Sequence, residues 1–194
     1  MKVNIIILDK NKYEIAKTSI KNQNFKVVHG NLLEQKGVLV TAGNSFGFMD
    51  GGLDLEFIKK YGWSLQSQIQ FQIKNRPLKE LLIGENLMLK LADGNTLIYV
   101  PTMRVPSILG PENINVYLSF KGIMAECIKN NIKEINVPLF GEGVGRVPID
   151  IIIRQMEQGY IDFIESKYPV NWWTSSIEHQ LLYKEKKDIV DLQY

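Results

Sequence analysis

Thr41-Ala42-Gly43-Asn44-Ser45-Phe46-Gly47-Phe48-Met49-Asp50-Gly51-Gly52-Leu53-Asp54 is the stretch that decides how this chain is read. Ahead of it, Val38 to Val40 has the pattern of a buried strand. Behind it, Leu53, Phe57, Ile58 and Tyr61 fall on one face of a helix. Small residues replace the strand pattern from Thr41 onward and allow close backbone approach, so a loop is expected to begin there. Strand, glycine-rich loop and helix in that order belong to an open α/β sheet. In such a sheet ligands gather at strand ends, where backbone amides and helix N-termini point at the incoming group.

The same order recurs near the other end. Ile135 to Phe140 reads as a late strand despite Pro138, and Gly141-Glu142-Gly143-Val144-Gly145-Arg146 follows at once. Pro148 then suits the first turn of a helix whose Ile149, Ile152, Ile153, Met156, Tyr160 and Phe163 repeat at three-to-four spacing. The second loop supplies a run of amides suited to phosphate oxygens. In the first, Asn44 and Asp54 are side chains able to hold hydroxyls or a water. Glycine clusters also occur simply as tight turns, but two of them, each between an apolar run and a helix, point to a pocket for a phosphorylated nucleotide. Neither loop is followed by Gly-Lys-Ser/Thr, and the single G-x-G-x-x-G turn of a Rossmann domain is missing.

Working outward, Val3 to Leu8 is a strand, Ile15, Ala16 and Ile20 mark a helix within Lys12 to Lys21, and Phe25 to Val28 is a second strand. Leu65, Ile69 and Ile73 continue the helical pattern past Gly62, until Pro77. Leu87 to Leu91 and Thr96 to Val100 flank Asp93-Gly94-Asn95, a hairpin signal, which makes the sheet mixed. Val116 to Ile128 is a further helix. The expected fold is a three-layer α/β/α sandwich with a mixed central sheet. It forms one domain over 1–194, with a strand-helix extension at 1–24 and a helix and tail at 171–194. The extension carries no readable functional chemistry, and Trp172 and Trp173 are expected to anchor the last helix.

With 45% apolar and 23% charged residues the chain sits in the globular range, and its 23 basic and 21 acidic residues are spread along it. Binding to nucleic acid through bulk charge is not indicated. A single cysteine, Cys127, excludes an internal disulfide, and with only His29 and His179 beside it no zinc cage, metal site or cofactor is expected. A reducing, cytoplasmic setting follows as the expectation. Asp9, Lys10 and Lys12 end the apolar run of Met1 to Leu8 before a signal-peptide core forms. No run approaches the roughly 20 apolar residues of a membrane helix.

From about Phe25 to Ile164 the motifs resemble, in order, those of the macrodomain family of ADP-ribose-binding modules. Gly30-Asn31-Leu32 is similar to its Gly-Asp-Ile, Thr41-Ala42-Gly43-Asn44 to its Asn-Ala-Ala-Asn, and Asp50-Gly51-Gly52-Leu53-Asp54 to its Gly-Gly-Gly-Val-Asp. Ile83-Gly84-Glu85 is similar to its Thr-Gly-Glu, and Gly143-Val144-Gly145 with Pro148 sits where its second phosphate loop lies. The resemblance implies that Asn44 contacts the distal ribose, that amides around Gly51 to Leu53 and Gly141 to Gly145 enclose the diphosphate, and that Asn31, with Leu32, lies near adenine. Asn31 stands where the family has an acid; its amide oxygen still accepts a hydrogen from an adenine amino group. Gly51 stands where one branch of the family has a nucleophilic lysine.

The resemblance also implies that Asp54 holds a water for attack on the anomeric carbon. The alternative is a carboxylate favoured by the helix dipole, and Asp50 divides in the same way between chemistry and a helix cap. Phe46 and Phe48 are candidates to stack on a ribose or base, or to act as core lids. Ser45 completes the first loop and is a further candidate to touch the ligand. Arg146 is a phosphate or structural arginine, and Glu142 either orients a hydroxyl or is a solvated charge. Expected partners are ADP-ribose or ADP-ribosylated protein or nucleic acid, with hydrolysis of an ADP-ribose linkage as one function. A non-catalytic ADP-ribose or signal-nucleotide module is the other.

Overall fold

A computed structural model of the chain describes residues 1–191. Its strands are β1 (Lys2–Ile7), β2 (Phe25–His29), β3 (Val38–Asn44), β4 (Leu87–Lys90), β5 (Thr96–Met103) and β6 (Glu134–Val137). They form one six-stranded sheet in the order β2-β1-β6-β3-β5-β4. Every pairing is parallel except β4 with β5, which closes the hairpin around Asp93-Gly94-Asn95. The helices are α1 (Lys10–Ser19), α2 (Gly52–Tyr61), α3 (Ser64–Lys74), α4 (Asn115–Lys129), α5 (Ile149–Ile164) and α6 (Trp172–Leu181). None of them is long and apolar enough to cross a membrane.

Side-chain alternation along the strands divides the interior in two. Ile5, Ile7, Val40, Ile98 and Val100 face α1, α4 and α5, whereas Ile6, Leu39, Leu97 and Tyr99 face α2 and α3. Strands buried on both faces read as near-continuous apolar runs, and this is why Val3 to Leu8 and Thr96 to Val100 are so conspicuous. The three-layer sandwich with a mixed sheet is the fold observed.

The strand-helix unit at 1–24 is not an appendage. β1 lies inside the sheet, between β2 and β6. The turn after α1 is pinned from the opposite end of the chain, because the buried Glu157 carboxylate accepts from the amides of Lys21 (2.8 Å) and Asn22 (2.7 Å). Where β6 meets β3 the register holds a single pair, Leu39 with Asn136. The buried Asn136 side chain reinforces that seam, donating to Lys36 O (3.1 Å) and Val38 O (3.3 Å) while accepting from Asn4 Nδ2 (3.1 Å).

Several element ends differ from the sequence reading. β3 continues through the small residues to Asn44, with an irregular register at Gly43/Asn44. β6 stops at Val137, since Pro138 has no N–H to continue the ladder. Gly62, at φ 83, splits the long helical pattern into α2 and α3. Trp172 and Trp173 are 45% and 43% exposed and pack edge-on against each other, so they do not anchor α6. Gln180, fully buried within α6, instead ties the following tail to the helix: it donates to Val190 O (2.7 Å) and accepts from Val190 N (3.0 Å). The last three residues of that tail, 192–194, lie outside the described residues.

At one point two backbones meet with no room for a side chain: a Cβ on Gly122 of α4 would lie 1.8 Å from the carbonyl oxygen of Gly84. Gly122→Ala is therefore expected to lower stability by about 1–3 kcal/mol. Gly110→Ala, whose Cβ would meet nothing within 4 Å, should stay within about 0.5 kcal/mol. Urea denaturation of the two variants checks both values.

Candidate functional site

A cleft of about 710 Å³ opens at the C-terminal ends of the parallel strands, within the range of small-molecule sites. Its first wall begins at the end of β3. Tyr99, fully buried on β5, runs its ring against Gly43, where a Cβ would come within 2.2 Å of the phenol oxygen. That oxygen accepts from Asn44 N (2.9 Å) and donates to Asn44 O (2.8 Å), clamping the strand end. Burial and the nearby Asp54 charge push the Tyr99 hydroxyl far above its ordinary value, so it stays protonated and able to donate.

Beyond the clamp, the Asn44 side chain folds the loop around itself. Its Oδ1 accepts from Phe46 N (3.1 Å) and Phe48 N (3.3 Å), and its Nδ2 donates to Phe48 O (2.8 Å). The buried Met49 is tied to α3 through Gln66 Oε1 (2.8 Å). Asp50 and Gly51 follow, both exposed, and α2 begins. Asp50 does not cap it: Gly51 is the N-cap, without a side-chain hydrogen bond. The first-turn amides of α2 are thus left open, as helix N-termini are when no cap is supplied.

Asp54 lies in that first turn and is buried at 7% exposure. Thr41 Oγ1 donates to its Oδ1 at 2.5 Å. Removal from water pushes the Asp54 carboxyl up to about 7; the Thr41 hydrogen bond pulls it down, and the Asp50 charge pushes it up further. A carboxylic acid that changes protonation near neutrality, at the edge of a cleft, has the tuning expected of an acid-base group.

The opposite wall is the loop after β6. Gly141 adopts φ 74, and a Cβ on Gly145 would come within 2.5 Å of the Gly141 carbonyl oxygen, so the loop closes tightly on itself. Its carbonyls at Gly141 and Gly145 accept from Val147 N and Leu109 N, each at 3.0 Å. Among the described residues, the amides of Glu142, Gly143, Val144 and Gly145 donate to no protein acceptor. Two sets of open amides therefore face one cleft, an arrangement suited to an anion.

Asn44, Asp50, Gly51, Gly52, Leu53 and Asp54 line the cleft on one side, and Gly141, Glu142, Gly143, Val144 and Gly145 on the other. Phe48 stands at its rim, half exposed, and Asn31 and Leu32 complete its wall. Asn31 Oδ1 accepts from Leu33 N (3.0 Å), capping the short 3-10 turn Leu32–Glu34. Ser45, Phe46 and Arg146 do not line it. Ser45 is buried in the loop, Phe46 lies under the Arg104 guanidinium (4.9 Å to the ring centre), and Arg146 is exposed at φ 55. Arg104 is paired with Glu80 (2.8 Å).

What sequence reasoning missed is the share of the first 24 residues. Ile6, Ile7, Leu8, Asp9 and Lys12 all line the cleft, and Lys12 Nζ is 2.6 Å from Glu142 Oε1. Asp9, at the end of an apolar strand and three residues before Lys12, was the available signal: its carboxylate caps α1 by accepting from Lys12 N (2.9 Å).

Against this geometry, the family model described as "Macro domain" matches residues 40–156, more than half of the chain. The chain belongs to the macro domain family. Among solved structures, this macrodomain is similar to the macrodomain of Mycobacterium tuberculosis DarG, with a TM-score of 0.58 and 21% identity over 72% of this chain and 88% of that one. An Oceanobacillus iheyensis macrodomain variant with ADPR gives a TM-score of 0.57 at 20% identity, over 70% and 74% of the two chains. Thermosipho africanus DarTG in complex with ADP-ribose gives 0.55 at 19% identity, over 94% of this chain and 57% of that one. The comparison with curated proteins finds no match.

Asp54 makes a pH dependence of stability. In the folded state its carboxyl holds a proton up to about 7, whereas its ordinary value is 3.8. Between those values the folded state binds the extra proton, so its stabilising contribution is complete below 3.8 and is lost as pH rises to about 7. Urea unfolding from pH 4 to 8 should show a decline of at most about 1.4 kcal/mol per pH unit from this group, and Asp54→Asn should flatten it.

Proposed function

We propose that this macrodomain binds ADP-ribose in the cleft and hydrolyses an ADP-ribose linkage, on a protein side chain, a nucleic-acid end or a terminal phosphate. The observation that carries the proposal is Asp54, a buried carboxyl tuned to about 7, standing between open helix amides and a cleft. Two amide sets receive the diphosphate, and the neighbours that hold ADP-ribose on the same fold support that ligand.

In this mechanism the ionised Asp54 accepts a proton from a water, whose oxygen forms the new bond to the anomeric carbon of the distal ribose. The bond from that carbon to the leaving group breaks, the leaving group keeps the electron pair, and a proton from solvent or from Asp54 completes it. Thr41 positions the carboxylate, donating to Oδ1 and leaving Oδ2 for the water. The open α2 amides stabilise negative charge beside the reacting centre.

A second reading has an observation of its own. The Asn44 side chain is closed on Phe46 and Phe48, and Gly51 offers no nucleophile, which favours a module that holds ADP-ribose without turnover.

Calorimetry with ADP-ribose, together with release assays on ADP-ribosylated protein, ADP-ribosylated DNA and ADP-ribose 1″-phosphate, separates the two. The expected result is binding plus release from at least one substrate, rising with pH through about 7. Asp54→Ala should cut release by about 100-fold or more while binding persists. Binding without release from any substrate would establish the module, and no binding by folded protein would remove both readings.

A further inference from the structure

The open amides of the cleft suit an anion, yet its charged side chains are mostly acidic. Asp9, Asp50, Asp54, Glu56 and Glu142 line it, and Lys12 is the single cationic side chain among the described lining residues. Open amides carry only partial positive charge, so a diphosphate entering this cleft meets carboxylates with one full positive charge to offset them. That charge is already engaged: Lys12 Nζ sits 2.6 Å from Glu142 Oε1, and Glu142 belongs to the loop whose amides are open.

The pair joins elements 130 positions apart in sequence across the mouth of the cleft, from the first turn of α1 to the loop after β6. Both side chains keep contact with solvent, at 42% and 29% exposure, so either is free to change partner without opening the core. Asp9 fixes the turn from which Lys12 projects by accepting its amide proton at 2.9 Å.

Resting on the reading of the cleft as an ADP-ribose site, we infer that the Lys12–Glu142 ion pair is a latch that a phosphate group opens. Lys12 exchanges the Glu142 carboxylate for a phosphate oxygen of the ligand, and Glu142 swings to solvent. Lys12 is then a ligand-binding residue contributed by the N-terminal strand-helix unit, and Glu142 is its competitor. The ligand's diphosphate carries two charges against the single charge of the carboxylate and also meets the adjacent amides, so the exchange favours the ligand. Glu142 sets how tightly phosphorylated ligands are held and screens out groups too weakly charged to displace it.

A purely structural clip and a latch make opposite demands on the two residues. If the ion pair only held the loop in shape, losing either partner would weaken binding. If it is a latch, the two losses have opposite signs. The experiment measures ADP-ribose affinity by calorimetry on the full chain for wild type, Lys12→Met, Lys12→Arg, Glu142→Gln and the double variant Lys12→Met/Glu142→Gln, with melting curves to confirm folding.

Lys12→Met is expected to weaken binding about tenfold or more, the size of a charge-assisted hydrogen bond. Lys12→Arg should retain most of it, and Glu142→Gln should tighten it several-fold. In the Lys12→Met background, Glu142→Gln should tighten binding less, because no cation is left to release. Weakening by Glu142→Gln, or wild-type affinity in Lys12→Met, overturns the latch while leaving the ADP-ribose site intact. Failure of folded wild type to bind ADP-ribose removes the site reading and the latch with it.

Discussion

One hydroxyl holds the working end of this protein in place. Tyr99 reaches from β5 across the end of β3 and grips both backbone groups of Asn44, and it fits there only because residue 43 has no side chain. Everything downstream takes its position from that grip. The Asn44 amide can organise the loop to Phe48 because its own backbone is fixed, and the loop delivers the chain to the start of α2. Thr41, three residues earlier on the same strand, then lies opposite Asp54 in that helix's first turn. A change at Tyr99 or Gly43 would therefore reach Asp54 through rigid backbone, without touching it directly.

The electrostatics of the cleft follow from the same economy of parts. Among the described residues no side chain caps α2, and the loop after β6 leaves successive amides unpaired. Each is a cost to the free protein, since unpaired backbone groups have to be satisfied by water or a ligand. Asp54 is a second such cost: its carboxyl is withdrawn from water and remains partly protonated near neutrality. Features that do not serve stability are concentrated at one end of the sheet, which is where strain and orphaned polarity gather when a protein binds or reacts with something.

Much of this fold is legible in the residues alone. The hairpin around Asp93-Gly94-Asn95, the apolar runs of β1 and β5 and the two strand-loop-helix successions are local patterns, and local patterns survive folding. What was hidden depends on distant partners. Thr41, Ala42 and Gly43 look like loop because small residues usually are; only Tyr99, 56 positions beyond Gly43 in sequence, turns them into the end of a strand. Lys12 gives no sign of a distant partner by itself and acquires one when β1 docks beside β6 and brings it to Glu142. The tryptophans mislead in the opposite sense, since bulk suggests an anchor, but Gln180 has the better hydrogen-bonding complement for the tail backbone.

The seam between β6 and β3 has a consequence for how the molecule comes into being. On one side of it are β2, β1 and β6, and on the other β3, β5 and β4, with Asn136 bridging them. Asn4 and Asn136 are 132 positions apart, so β1 leaves the ribosome long before the strand that joins it to the rest. Until that four-residue strand arrives, the two half-sheets have no common edge, and the cleft walls that belong to them have no fixed separation. The cleft thus depends on a strand made late in the chain, and a molecule gripping both walls would act as a second fastener on a joint that the backbone closes with a single register pair.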